Sequence, residues 1–263
     1  MPKNLKEDDM GNLQNYQNAF SRQGLVIPLY SNMLLLDQAY KEIIHTTAPS
    51  DQRIEEIIAR AYPPGHMAAM VVNRYPNVPF IKEYQITIKE AVEAHYLGLD
   101  HVAVAGIVPV IEGAGRKLAR SKGLEHRYIK KTFTNLTAHS IADIVAKQLG
   151  DFRAIESVLN SFLTFLQKYF YRDSHNFPLS DKTNRNGITH GSFDDRDFGT
   201  PLNFYKTVGV LDVLCLISDF QVFPARSTPS SEVLALYYLT LKDNKSRMLQ
   251  GYEEWLFGSK PLP

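Results

Sequence analysis

The segment "NRNGITHG", residues 184–191, places Arg185 and Asn186 a few residues ahead of His190. An unperturbed imidazole titrates near pH ~6.5, so His190 is suited to moving a proton near neutrality. A guanidinium stays charged and forks onto two oxygens, which suits Arg185 to a phosphate. Asn186 can orient either the imidazole or a phosphate. Residues of these types can cut RNA without a metal: a 2′-hydroxyl gives up its proton and attacks the adjacent phosphorus while a cation holds the phosphate oxygens. The competing reading is a surface turn, with Arg185 solvated and His190 capping a helix end.

Spacing narrows the geometry. Positions five apart on a regular helix are offset by about 140°, so Arg185 and His190 do not share a face, whereas Asn186 and His190, four apart, do. Asn186-Gly187 favours a turn over a helix interior. Two arrangements stay open: a helix start with Arg185 just outside it, or a pair that works across a two-fold axis between chains.

"NRNGITHG" followed by "DFGTPLNFYKTVGVLDVLCLI" resembles the signature of HEPN-domain proteins, an all-helical superfamily built around Arg-x4–6-His with a polar residue after the arginine. The trailing stretch also resembles a bacterial group of uncharacterised and abortive-infection-type HEPN proteins. In that group an upstream acidic residue sits near the same site, and Glu112 in "IVPVIEGAGRKL" matches it. The resemblance covers roughly residues 85–220. It implies a metal-independent endoribonuclease, often dimeric, with a toxin or phage-defence role. Other members of the family have lost catalysis and serve as nucleotide- or RNA-binding or scaffolding modules. Arg185, Asn186, His190 and Glu112 are the catalytic set it implies, with RNA, a second copy of the chain, and a neighbouring gene product or antitoxin as partners. Glu112 also has a plainer reading, since Arg116 lies four residues on, in the favourable orientation for an intrahelical ion pair.

The stretch 115–131, "GRKLARSKGLEHRYIKK", sets Arg116, Lys117, Arg120, Lys122, Arg127, Lys130 and Lys131 against Glu125 alone. Such a cluster is either a footprint for an RNA backbone or a solvated helix end. "DFG" at 197–199 matches a kinase motif, but no glycine-rich strand and no "HRD" accompany it. His95 and His101 lack a third ligand, so no metal and no cofactor are expected. Cys215 lies in an apolar run and reads as an inert buried thiol. Tyr237, Tyr238, Trp255 and Phe257 read as packing or interface residues.

These groups must be carried by a chain of 263 residues, 44% hydrophobic, with net charge +1. The near-neutral balance excludes a molecule that binds nucleic acid by charge alone. No apolar leader opens the sequence, and the stretch "HVAVAGIVPVIEGAG" is too interrupted to span a bilayer, so a cytoplasmic protein without a membrane partner is expected. Apolar residues at Leu29, Met33, Leu36, Tyr40 and Ile43 predict a helix over 29–45, and Asp51 predicts the cap of the next. Residues 62–80, with four prolines and few charges, read as a connector. That puts a boundary near 82, between an N-terminal helical extension (1–82) and a HEPN-like helical domain (83–263). The polar first ten residues are expected to be mobile.

Further helices follow over 83–99, 101–120 (capped by Asp100), 132–149 and 151–171, with Val104, Ile107, Val108, Ile111 and Leu118 as a core stripe. Thr200-Pro201 and Thr228-Pro229 start two more helices, and "SRMLQGYEEWLF" closes the chain. No alternating run is bounded by hairpin turns, so the expected class is all-α. The polar interval 172–200 stands out, because long loops between strongly periodic helices are functional or disordered.

Overall fold

Leu13, Tyr16, Ala19 and Phe20 recur at helical spacing and are buried. They form the inner face of α1 (Glu7–Arg22), an otherwise polar helix that packs on α8 (Phe152–Phe165). The computed structural model describes residues 7–46 and 49–257, with side chains over 13–46 and 49–247. Of the stretch expected to be mobile, residues 7–10 are helical and residues 1–6 lie outside the described ones. All regular elements among the described residues are helical, so the class is all-α.

The centre is α10 (Pro201–Ser218), in which every residue from Leu202 to Leu216 is buried. It is apolar all round, as a helix enclosed on every side must be. By length and composition it could also cross a membrane, but 83% of it is buried here, against α6 (Asp100–Ser121), α3 (Asp51–Ala59) and α8. Its start is as the sequence predicts: Thr200 caps, Pro201 fills the first position, and Asn203 completes a capping box. The stripe Val104, Ile107, Val108, Ile111 and Leu118 is buried on α6, and Cys215 is buried on α10.

Three expectations about elements change. The stretch 62–80 is not a surface connector. It holds α4 (Pro64–Ala69), a π-helical turn (Met70–Arg74) and a 3-10 turn (Tyr75–Asn77), with Met67, Ala68, Met70 and Tyr75 buried. Its prolines start turns rather than break them, since a proline at a first helical position sacrifices no hydrogen bond. The cap of α3 is Ser50, with Asp51 its first residue. The last two predicted helices are one element, α11 (Pro229–Phe257), which packs on α4 and on α5 (Gln85–Tyr96). Trp255, Phe257 and "YEEWLFG", expected as packing or partner surface, fall outside the described side chains.

The remaining helices, α2 (Met33–His45) and α7 (Ile129–Lys147), pack on α1 and on α6 and α8 respectively. One buried cluster takes in Phe20, Ile57 and Met67 together with Val104, Phe162 and Leu211. His95 is part of this interior rather than a ligand: its Nδ1 is 2.6 Å from the buried Asp100 carboxylate and its ring stacks on Phe204 at 4.0 Å.

Candidate active site

The polar interval 172–200 is anchored from beneath by buried polar residues. Asp181, Thr183 and Asn184 are almost fully buried, as are Asn203 and Lys206 on α10. Lys206 pairs with Asp181 at 3.0 Å and donates to the Gln23 carbonyl at 2.9 Å. Asn203 Nδ2 donates to the Asp181 carbonyl at 2.6 Å and to the Thr183 hydroxyl at 2.8 Å. A charge buried at this depth is tolerated only when paired and fully hydrogen-bonded, and this network meets that condition.

Asn184 then joins two elements. Its Oδ1 accepts from Gly187 N at 2.8 Å, capping the five-residue helix α9 (Arg185–Thr189). Its Nδ2 donates to the carbonyls of Tyr169 and Arg172, at the end of the π-helical turn Leu166–Phe170 that extends α8. Gly187 lies inside α9 instead of in the turn that Asn-Gly suggests. A Cβ there would come within 2.2 Å of the Phe193 ring, so the position requires glycine for close approach.

This frame gathers the four expected residues around the Arg185 guanidinium. Arg185 Nη1 lies 2.7 Å from His190 Nε2 within one chain. Arg185 occupies the first position of α9 and His190 its C-cap, and the arginine side chain is long enough to span the offset between them. No two-fold axis is needed to unite the pair. Because a guanidinium only donates, Nε2 is the acceptor and the imidazole carries its proton on Nδ1. On the other side, Arg185 Nε lies 2.5 Å from Glu112 Oε1 and Nη2 donates to Glu112 Oε2 at 3.3 Å. Glu112 and Arg185 are largely buried, whereas His190 is exposed.

Asn186, expected to orient the imidazole or a phosphate, makes no side-chain hydrogen bond to His190. Its Oδ1 accepts from Arg185 Nη1 at 3.2 Å and its Nδ2 donates to the Arg172 carbonyl at 3.0 Å, so it holds the arginine. Glu112 does not pair with Arg116. The Arg116 guanidinium instead donates to the carbonyls of His126 and Arg127, at 2.6 and 2.7 Å.

Sequence reasoning missed Tyr171. It is buried against Phe133, with its hydroxyl beside the Glu112 carboxylate. Burial first, and the neighbouring Glu112 carboxylate second, push that hydroxyl well above its ordinary range, so it stays protonated beside the site. A tyrosine that ends the aromatic run "YFY" at 169–171 carries no signal to set it apart from its neighbours.

The basic tract divides. Arg116 is spent on backbone carbonyls, and Lys117 pairs with Glu83 at 2.5 Å while lying over the Tyr84 ring. Both side chains are thus engaged within the chain. Arg120, Lys122, Arg127, Lys130 and Lys131 form no salt bridge among the described residues. Comparison of the chain with family models, with curated proteins and with solved structures gave no match in any of the three.

Proposed function

We propose that the chain is a metal-independent endoribonuclease of the HEPN kind, built on a HEPN-like helical bundle and acting in defence or as a toxin. The observation that carries this is the 2.7 Å contact between Arg185 Nη1 and His190 Nε2, with Glu112 fixing the far edge of the same guanidinium. Glu112 takes Nε and Nη2, which leaves Nη1 facing the imidazole. A phosphodiester entering from the exposed His190 side draws Nη1 onto its oxygens and releases the lone pair on Nε2. Nε2 then takes the 2′-hydroxyl proton and the 2′-oxygen attacks phosphorus as the bond to the 5′-oxygen breaks; the 5′-oxygen takes a proton from water and the imidazolium returns its own to solvent, giving a 2′,3′-cyclic phosphate and a 5′-hydroxyl. Glu112 and Asn186 are positioning residues in this scheme.

The test compares RNA cleavage by the wild type, His190→Ala and Arg185→Ala, with and without EDTA. His190→Ala is expected to lose roughly 10²–10⁴-fold in rate with its thermal unfolding unchanged. Equal cleavage by a variant lacking both side chains, or a strict metal requirement, refutes the scheme.

One observation favours a second reading, a non-catalytic RNA- or nucleotide-binding module: the His190 lone pair is already engaged by Arg185. Incubation with total RNA separates the two, since binding without fragments supports the module.

A further inference from the structure

Tyr128 is 71% exposed, and its side chain makes no hydrogen bond or ring contact among the described residues. Its backbone, by contrast, is fixed. It is the N-cap residue of α7, and its carbonyl accepts from the Thr132 amide at 2.8 Å and the Thr132 hydroxyl at 3.1 Å. The two residues before it are held by the Arg116 guanidinium. Glu125, the one carboxylate of the tract, is turned onto the Arg127 amide at 2.7 Å. The result is a rigid ledge with an aromatic ring facing solvent, flanked by the exposed cations Arg120, Arg127, Lys130 and Lys131. It adjoins the candidate site, because Arg116 follows Glu112 by one helical turn, about 6 Å along α6.

An exposed ring among unpaired cations matches single-stranded nucleic acid: the cations neutralise phosphates, and the ring stacks on a base that no partner strand covers. A duplex offers no such base face. Resting on the nuclease reading, we propose that Tyr128 is a stacking platform for an unpaired base of single-stranded RNA, whose backbone crosses Arg120, Arg127, Lys130 and Lys131 towards Arg185.

The experiment uses a fluorescein-labelled single strand of 2′-O-methyl RNA, which cannot be cut by 2′-oxygen attack, and its duplex, read by anisotropy over a salt series. Tyr128→Ala is expected to weaken single-strand binding roughly 5- to 150-fold with an unchanged salt slope, and Tyr128→Phe to restore it. Lys130→Gln with Lys131→Gln is expected to reduce the log–log salt slope by about one to two. Equal binding by wild type and Tyr128→Ala, preference for the duplex, or no binding at low salt overturns the proposal. Cleavage of the unmodified strand is followed in parallel. A wild type that binds through Tyr128 but never cuts refutes the nuclease reading alone, whereas cleavage indifferent to Tyr128→Ala in both kcat and KM refutes the platform alone.

Discussion

Glu112 and Arg185 are 73 residues apart in the chain and meet at 2.5 Å, the carboxylate gripping the edge of the guanidinium turned away from His190. If that grip aims Nη1, Glu112→Gln should lower cleavage about 10- to 100-fold, the difference between a charge-assisted and a neutral hydrogen bond. The same substitution made in Arg185→Ala should cost nothing more, because residues acting as a unit are not additive. Multiplicative losses in the double variant would show that the carboxylate acts independently.

Asn184 offers a contrast with His190. Its side chain is fully buried and serves α9 and the end of α8 at once. Asn184→Ala removes a cap and two donated hydrogen bonds to carbonyls that keep other partners, each loss on the order of 1 kcal/mol. Thermal unfolding should therefore shift down by several degrees and cleavage should fall with it. His190→Ala should lose cleavage alone, and calorimetry beside a cleavage assay distinguishes the two.

Gly187 and Phe193 form a matched pair. Gly187→Ala drives a methyl into the Phe193 ring and should destabilise α9 and the activity it supports. Trimming the obstacle with Phe193→Ala in the same chain should recover part of the stability lost to the methyl. A double variant no better than the sum of the singles would mean the strain lies in the backbone instead.

Two buried groups set opposite pH slopes. Burial raises Asp212 from near 3.8 to about 7, against the lowering effect of its hydrogen bond from Tyr75 and of Arg74. Between about pH 4 and 7 the folded chain therefore keeps a proton the unfolded chain has lost, and stability falls as pH rises through this window. Burial, then Arg74, lowers His66 from 6.5 to about 4, so in that interval the unfolded chain holds the extra proton and stability rises with pH. The two offset below about pH 6.5, leaving the Asp212 loss uncovered from there to about pH 8. The wild-type Tm should drop across that interval, and Asp212→Asn should abolish the drop while leaving Tm to rise between about pH 4 and 6.5, where the His66 contribution then stands uncompensated. A flat wild-type curve would contradict the assignment.

The sequence made the long helices legible because their apolar spacing and hydroxyl–proline starts are strong local signals, as at Thr200-Pro201. It made α1 and α4 illegible for opposite reasons. The stripe of Leu13, Tyr16, Ala19 and Phe20 is diluted by polar neighbours, and the prolines of 63–79 read as breaks although Pro64 begins a helix. At the candidate site, residue types and order pointed to Arg185 and His190, and the family resemblance alone added Glu112. The spacing argument failed on geometry because it treated side chains as short rods on a regular helix. "SDKTNRN" belongs to the polar interval 172–200, yet Asp181, Thr183 and Asn184 are interior, since polar residues that satisfy one another leave no hydropathy signal.

The π-helical turn Leu166–Phe170 sets the azimuth of everything that follows it. A π-turn takes up one residue more than an α-helical turn, so excising one residue there would restore ordinary pitch and leave Tyr171 and the two carbonyls close to their present azimuth. That surplus residue is thus the one length change in this stretch that the site should tolerate.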